Sequence, residues 1–230
     1  MSTQPQNKNI IKISLTFANQ YHYGARDSGS SIIDNGIQRR KKFTGDRFEE
    51  EMAIFGLSLK GLLRELAYEI CQVGVFPFKS GKEQFTPIDP NDADSTHPFY
   101  SLFGYADCHG KIRVSHGTLL DNSKNLNQIL EQRTSIRMDP TLHSTKEGAL
   151  FTFETCNIQK VEYTIELVNP TEEEATLLLA VLNRLEGKTV AGRGSTGGGL
   201  IVKAEFDKSQ LAQHEQKLKD LVQTLKKGGK

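Results

Sequence analysis

An acid and four cations stand close together early in the chain and could act on a phosphodiester. The stretch GSSIIDNGIQRRKKF, residues 29–43, carries Asp34 and then four cations in a row, Arg39, Arg40, Lys41 and Lys42. Asp34 precedes Asn-Gly, a strong turn signal, so it could simply bond its own backbone. Alternatively, the cations hold an RNA backbone while Asp34 orients a 2′-hydroxyl or a metal-bound water. One carboxylate gives no support for two-carboxylate glycoside chemistry.

A glycine-rich loop, AGRGSTGGGL at residues 191–200, is the second candidate site. Glycines let the backbone approach a ligand closely, and exposed N–H groups in such a loop bind anions. It lacks GK[ST], and a strand rather than a helix follows it, so neither a P-loop nor a dinucleotide site is indicated. A phosphate cradle and a flexible turn both fit. The cradle residues would be Gly192, Arg193, Gly194, Ser195, Thr196 and Gly197.

The third candidate is the start of a predicted helix, LSLKGLLRELAYEI, residues 57–70. Lys60 and Arg64 are four residues apart and so share one flank of it, with Gly61 between them. Ser58 can cap the helix by accepting a backbone N–H. The cations and the positive end of the helix dipole could hold phosphates. Solvated flank residues are the simpler explanation.

Hydrophobic periodicity predicts the strands that must position these sites. Apolar and polar residues alternate over 10–17 and 159–168, which is typical of half-buried strands. Further strands are expected at 110–120 and 200–206. Residues 133–154 mix basic, turn-forming and β-favouring pieces, and we interpret them as a β-hairpin arm.

Three helices are expected. The first has an apolar stripe at helical spacing, made of Leu59, Leu62, Leu63, Leu66 and Ile70. In the second, residues 171–187, Thr171 and Glu174 form a capping box and Gly187 ends the helix. The third, residues 208–227, repeats leucine at heptad spacing. Its apolar stripe favours packing on its own domain over contact with a neighbouring subunit.

The order of these elements predicts the fold class and the domain organisation. It is α+β, a ferredoxin-like (RRM-like) αβ sandwich with inserted loops. We expect a disordered lead at 1–9 and one domain over 10–206. Insertions fall at about 72–99 and 121–150, and a basic amphipathic helix occupies 207–230.

The composition limits the location and partners of the protein. The formal net charge of +1 argues neither for nor against a nucleic-acid partner. No run approaches the roughly 18 apolar residues of a membrane helix. The polar first nine residues lack the apolar core of a signal peptide, so we expect a cytoplasmic protein. Cys71, Cys108 and Cys156 form no CxxC pair, which disfavours a zinc site.

Six segments, in this order, resemble the RAMP superfamily. More narrowly, they resemble the repeated backbone subunit of type III (Csm/Cmr-class) CRISPR–Cas interference complexes. The segments are YHYG (21–24), IIDNGIQR (32–39), IFGLSLKGLLREL (54–66), LFGYADCHGKIRVSHGTL (102–119), IRMDPTLHSTKEGALFTFE (136–154) and GRGSTGGGLIV (192–202).

The resemblance implies a role in antiviral defence. The subunit would bind guide RNA and cut the paired target RNA, and it would stack with further copies of itself and with other CRISPR effector subunits. Asp34 matches the carboxylate required for cutting. The resemblance implies an endoribonuclease that depends on Mg²⁺ or Mn²⁺, in which a 2′-hydroxyl attacks the neighbouring phosphate. The products would be a 2′,3′-cyclic phosphate and a 5′-hydroxyl.

The resemblance also implies which residues contact RNA. The helix start and the glycine loop would lie along the guide, and Ile136–Phe151 would form a β-hairpin thumb that displaces nucleotides at intervals. The RNA-binding residues would be His22, Arg39, Arg40, Ser58, Lys60, Gly61, Arg64, Arg137 and the six cradle residues, Gly192 to Gly197.

Three alternatives stay open. The protein could be a non-catalytic scaffold that coats guide RNA. It could be a guide-processing endoribonuclease of the same superfamily, for which the early His22 is suggestive. It could also be a small αβ interaction domain that binds no nucleic acid.

Overall fold

The computed structural model describes residues 8–18, 37–72, 97–105, 108–120, 126–138, 141, 145–157, 159–190 and 199–228. Most of the predicted loop at 72–98 and most of the predicted lead lie outside these ranges. No helix in the described ranges is long and apolar enough to cross a membrane.

The described chain contains both strands and helices, and the longest helices are α1 and α5. The strands are β1 (Lys8–Phe17), β2 (Arg39–Phe43), β3 (Phe48–Met52), β4 (Gly104–Tyr105), β5 (Cys108–His109), β6 (Ile112–Val114), β7 (Thr118–Leu119), β8 (Leu130–Met138), β9 (Thr145–Cys156), β10 (Lys160–Val168) and β11 (Ile201–Phe206). The helices are α1 (Gly56–Gln72), α2 (Pro98–Phe103), α3 (Leu126–Ile129), α4 (Glu172–Leu182) and α5 (Ala212–Gly228).

The main sheet is antiparallel, with strand order β11-β1-β10-β6, and β7 continues the β6 edge alongside β10. β1 and β10 pair along nearly their whole length, with Ile13 opposite Tyr163. Separate two-stranded sheets are formed by β2 with β3, by β4 with β5 and by β8 with β9. Helices combined with antiparallel sheets confirm the mixed class expected from the sequence.

Alternation along the two central strands builds the core. In β1 the buried side chains are Ile11, Ile13, Leu15 and Phe17, and in β10 they are Val161, Tyr163, Ile165 and Leu167. Because alternate residues point to opposite faces, all of these side chains lie on one face of the sheet. They form one cluster with the leucines of α1 and α4. Both predicted strands and their inward faces are confirmed.

Helix α1 carries the predicted apolar stripe, and all five of its members are buried. The helix begins at Gly56, however, so Ser58 lies inside the first turn and the predicted cap at Ser58 is wrong. The early start is possible because Gly56 has no side chain. A Cβ there would lie 2.1 Å from the carbonyl oxygen of Ser115.

Helix α4 has the predicted capping box. The Glu174 N–H donates to Thr171 Oγ1, and the Thr171 N–H donates to a Glu174 carboxylate oxygen. The helix ends at Leu182 with Asn183 as its C-cap, so the predicted end at Gly187 is wrong. Gly187 instead has φ +79° in the turn that follows, a conformation that favours glycine.

Helix α5 packs on the domain, as predicted. It contacts α4. Leu211, just before the helix, is buried, and Leu218 packs partly buried against the core. These leucines at heptad spacing therefore pack against the protein's own core.

Two hairpins stand outside the main sheet. The β8–β9 hairpin confirms the predicted arm. The β2–β3 hairpin was not predicted, nor was α2, which begins at Pro98 and is capped by the His97 side chain. The single strand expected at 110–120 is two short strands, interrupted at residues 115–117.

Candidate nucleic-acid interface

The predicted site residues Ser58, Lys60, Gly61 and Arg64 lie on the first turns of α1. This end of the helix has no acidic side chain in its first turn. The positive end of the helix dipole is therefore not offset by a carboxylate of that turn, and it favours anions.

Lys60 and Arg64 each have a contact within the chain. Lys60 Nζ donates to the carbonyl oxygen of Ile112 at 3.1 Å, on the sheet edge. Burial, and then the nearby positive charge of Arg64, lower the pKa of the Lys60 ammonium below its ordinary value. The Arg64 guanidinium carbon lies 5.6 Å from the ring centroid of Phe99. Both cations are therefore positioned by the fold rather than loosely solvated.

Gly61 is exposed between these cations, and a Cβ at this position would meet nothing within 4 Å. Glycine in a helix interior costs about 1 kcal/mol relative to alanine. Nothing in the described fold requires glycine here, so the open space beside Lys60 is available to a ligand backbone.

An exposed histidine stands next to the start of α1 and was missed by sequence reasoning. The His116 ring lies edge-on to Phe55, with ring centroids 5.2 Å apart. The neighbouring Gly117 N–H donates to the carbonyl oxygen of Ile54 at 2.8 Å, which fixes this segment against the chain entering α1. No sequence signal marked His116, because residues 110–120 were expected to form one uninterrupted strand.

The predicted cations Arg39 and Arg40 lie on β2, where Arg39 is opposite Met52 of β3 and Arg40 is opposite Glu51. Arg40 Nε pairs with Glu51 Oε1. Arg39 Nη1 lies 3.7 Å from Glu50 Oε2. These side chains are partly exposed, and pairs of this kind contribute about 0–1 kcal/mol. These pairs hold the cations in place, and the Arg40–Glu51 pair is weak enough to be exchanged for a phosphate.

A buried carboxylate, Glu154 on β9, anchors the chain that enters β2. Its side chain is 5% exposed. It accepts the Ile37 N–H at 2.9 Å and a bond from Arg39 Nη2 at 2.9 Å. Ile37 is three residues beyond Asp34. Sequence reasoning missed Glu154 because Phe153, Glu154 and Thr155 are all buried, which breaks the alternation of a half-buried strand.

The remaining predicted site residues belong to two segments, and both segments join the main sheet at the same end. Ala18, which leads to His22 and Asp34, donates its N–H to the carbonyl oxygen of Leu200 at 2.9 Å. Leu200 closely follows the glycine loop at 191–198. His22, Asp34 and Gly192 to Gly197 themselves lie outside the described residues.

The base of the β8–β9 hairpin lies at the same end. Asn157 N–H donates to the carbonyl oxygen of Ile129 at 2.8 Å and closes the hairpin. Two residues later, Gln159 accepts a bond from the Phe17 N–H at 2.9 Å. Arg137 lies in β8, where the structure describes its backbone but not its side chain.

The open face of the main sheet is an unsuitable platform for bases. Among the described strands its side chains are polar, charged or aliphatic, and none is aromatic. Ion pairs cross it, including Lys8 with Glu166 and Lys203 with Glu205. RRM sheets bind RNA by stacking bases on aromatic side chains. An RNA interface on this chain must therefore use the helix start, the hairpins and the loops.

A family model described as RAMP superfamily matches residues 36–202, more than two thirds of the chain. The chain belongs to the RAMP superfamily. The matched residues include β2, α1 and the glycine loop but not His22 or Asp34. No curated protein matches the chain.

Solved structures show the same fold. One chain of a "Type IV-B CRISPR Complex" aligns with this protein with a TM-score of 0.63 and 17% sequence identity. The alignment covers 87% of this protein and 91% of that chain. Among the residues that the structure describes, no three His, Cys, Asp or Glu side chains come together as metal ligands would.

Gly61→Ala and Gly56→Ala form a matched pair of substitutions in α1. Gly61→Ala should stabilise the free protein by up to about 1 kcal/mol, because alanine favours the helix. If RNA approaches this point, the same variant should bind RNA more weakly.

Gly56→Ala should instead destabilise the free protein by about 1–3 kcal/mol, because its Cβ would clash with backbone atoms. Urea unfolding measures the first effect and RNA titration the second. A Gly61→Ala protein that is stabilised and binds RNA normally would remove Gly61 from the interface.

Glu154→Gln should destabilise the protein by about 1–3 kcal/mol, because a buried acceptor of two hydrogen bonds loses its charge and presents an NH₂ group. Urea unfolding measures the loss. Glu205→Gln is the control, since it removes an exposed carboxylate that pairs with Lys203 and Lys160. Equal effects of the two substitutions would contradict the anchoring role of Glu154.

Proposed function

We propose that this chain is a backbone subunit of a CRISPR effector complex, and that it binds guide RNA along the start of α1. The observation that carries the proposal is the geometry there. The first turns of α1 have no acidic side chain to offset the helix dipole. They carry two cations that are held by contacts within the chain, and a glycine with open space beside it. Backbone N–H groups and cations together are a common way to bind phosphates.

The proposed fold of this subunit is ferredoxin-like. The strand order β11-β1-β10-β6, with α1 following β1 and α4 following β10, supports this arrangement. The open sheet face carries ion pairs instead of aromatic rings. The guide RNA would therefore run past the helix start and the sheet end where the loops and the β8–β9 hairpin are attached.

The subunit would work with other effector subunits and with further copies of itself stacked along the guide. Membership of the RAMP superfamily and the fold likeness to a chain of a type IV-B CRISPR complex support this partnership. Both the type III and the type IV class of complex fit these observations. Sequence would be read by guide–target pairing, while the protein holds backbone and shape.

Cleavage of target RNA by Asp34 is the finer part of the proposal. Its support is the order of motifs in the sequence, together with the hydrogen bond to Glu154 that anchors Ile37, three residues beyond Asp34. A divalent ion, Mg²⁺ or Mn²⁺, is expected only from the resemblance. The non-catalytic scaffold is the alternative that retains guide binding without cleavage.

Arg64→Ala should weaken guide-RNA binding and reduce the slope of log K against log[salt] by about 0.7–1, because one phosphate contact is lost. Lys219→Ala is the matched control, an exposed cation on α5. RNA titrations at several salt concentrations give both slopes. An unchanged slope in Arg64→Ala would contradict binding at α1. Wild-type protein that purifies free of RNA and binds none would contradict the whole function.

Asp34→Asn should abolish target cleavage by the assembled complex and leave guide binding unchanged, because the carboxylate acts on the scissile linkage. General acid–base assistance is typically worth about 10²–10⁴-fold in rate. Cleavage is measured with guide-loaded complex and labelled target RNA, and Asp220→Asn on α5, an exposed carboxylate outside the proposed RNA contacts, is the control. Equal rates for wild type and Asp34→Asn, or no cleavage by wild type, would favour the scaffold.

A further inference from the structure

Two large aromatic side chains lie in solvent at the tip of the β2–β3 hairpin. Phe43 and Phe48 are the last cross-strand pair before the turn, and they are 59% and 69% exposed. Their ring centroids are 5.1 Å apart, and the ring planes are tilted by 51°. Each ring therefore touches the other and still presents most of its surface to solvent.

The two rings share a hairpin face with residues that meet the body of the protein. Side chains alternate between faces along a strand, so Arg39 and Lys41 are on the same face as Phe43. On β3 that face carries Met52, which is 3% exposed. The base of this face is buried against the domain, and the aromatic tip extends beyond it.

Lys41 lies on the same hairpin face as the rings, two residues before Phe43. Lys41 is opposite Glu50, but the Glu50 carboxylate lies near Arg39, at 3.7 Å. Lys41 is exposed, and it has no ion pair within 4 Å among the described residues. Across the turn, Arg47 pairs with Glu49 at 2.7 Å, which offsets the acid next to Phe48.

Hairpin stability alone explains only part of this arrangement. A cross-strand aromatic pair does stabilise a hairpin. Two phenylalanines with more than half of their surface in water are nevertheless a large apolar area to leave exposed. A flat ring on the same face as a lysine that has no ion pair among the described residues matches the chemistry of a nucleotide, whose base stacks and whose phosphate is anionic.

We propose that the hairpin tip is a stacking site for an unpaired base of single-stranded RNA, with Lys41 binding the adjacent phosphate. This inference depends on the proposed function, because it takes RNA as the polymer that the protein binds. It adds a contact that is separate from α1 and tolerant of sequence, since every base has a flat face. RNA is favoured over a protein partner because Lys41, on the face of the rings, is exposed and has no ion pair among the described residues, so it can bind a phosphate.

The test compares the full-length double variants Phe43→Leu/Phe48→Leu and Phe43→Trp/Phe48→Trp with wild type. Leucine keeps an apolar pair but cannot stack, whereas tryptophan stacks. The probe is a short single-stranded RNA with 2-aminopurine at one position, and a second oligonucleotide carries an abasic site there. Ile10→Ala/Val202→Ala is the control, since it also removes exposed apolar surface. Thermal unfolding confirms that each variant folds.

The leucine variant should bind the single-stranded RNA about tenfold more weakly than wild type, which corresponds to the loss of one stacked base. The tryptophan variant should bind normally and quench 2-aminopurine. Lys41→Ala should reduce the salt slope by about 0.7–1.

Three results would contradict the stacking site, and they differ in whether the proposed function also fails. Equal RNA affinity for the leucine variant and wild type overturns the stacking site while the proposed function stands. A changed oligomeric state with unchanged RNA affinity overturns it as well, and identifies the tip as a contact between copies of this chain. Wild-type protein that binds no RNA overturns the stacking site and the proposed function together.

Discussion

The antiparallel pairing of β1 with β10 is the constraint on which the rest of the structure depends. Its register buries every second residue of both strands under α1 and α4. Each buried aliphatic or aromatic side chain of this kind contributes roughly 1.5–3 kcal/mol. A shift of one residue would turn the whole apolar set outwards, so the register is strongly fixed. The end of this pair then determines where the chain to His22 and Asp34, the glycine loop and the β8–β9 hairpin are attached.

The candidate interface consists of cations that already have partners. Arg40 pairs with Glu51, Lys60 bonds a backbone carbonyl, and Arg64 lies over an aromatic ring. In the proposed interface, RNA phosphates would compete with these internal contacts, which hold the side chains in position and would lower the entropy lost on binding. This also explains how a chain with a net charge of +1 can present a local phosphate site. The acids that balance its cations are close by, on β3 and on the open sheet face.

Apart from the β8–β9 hairpin, which was predicted from turn-forming residues among β-favouring ones, the elements that sequence analysis predicted are those with one buried face. β1, β10, α1 and α4 show their period directly, because burial selects apolar residues at every second position or along one helical stripe. The β2–β3 hairpin could not be found in this way. RRKKF and FEEEM are charged on both faces, and they pair through complementary charge across the strands instead of through burial.

Only part of the candidate site could be predicted, because the sequence shows local spacing but not contacts between residues that are distant in the chain. Lys60, Gly61 and Arg64 follow from helical spacing, and their common flank was foreseen. Glu154 and His116 act through contacts with residues distant in sequence, Ile37 and Phe55, so no local pattern marks them. The start of α1 was misplaced because the close approach of Gly56 to Ser115 is a tertiary contact.

Amide hydrogen exchange at residues 56–64, with and without bound guide RNA, tests the central claim most directly. The first N–H groups of α1 have no partner within the helix, so they should exchange rapidly in the free protein. If RNA phosphates bind there, exchange of these amides should slow markedly when guide RNA is added, while the central amides of α5 stay unchanged. Binding of RNA that leaves exchange at 56–64 unaltered would contradict the account.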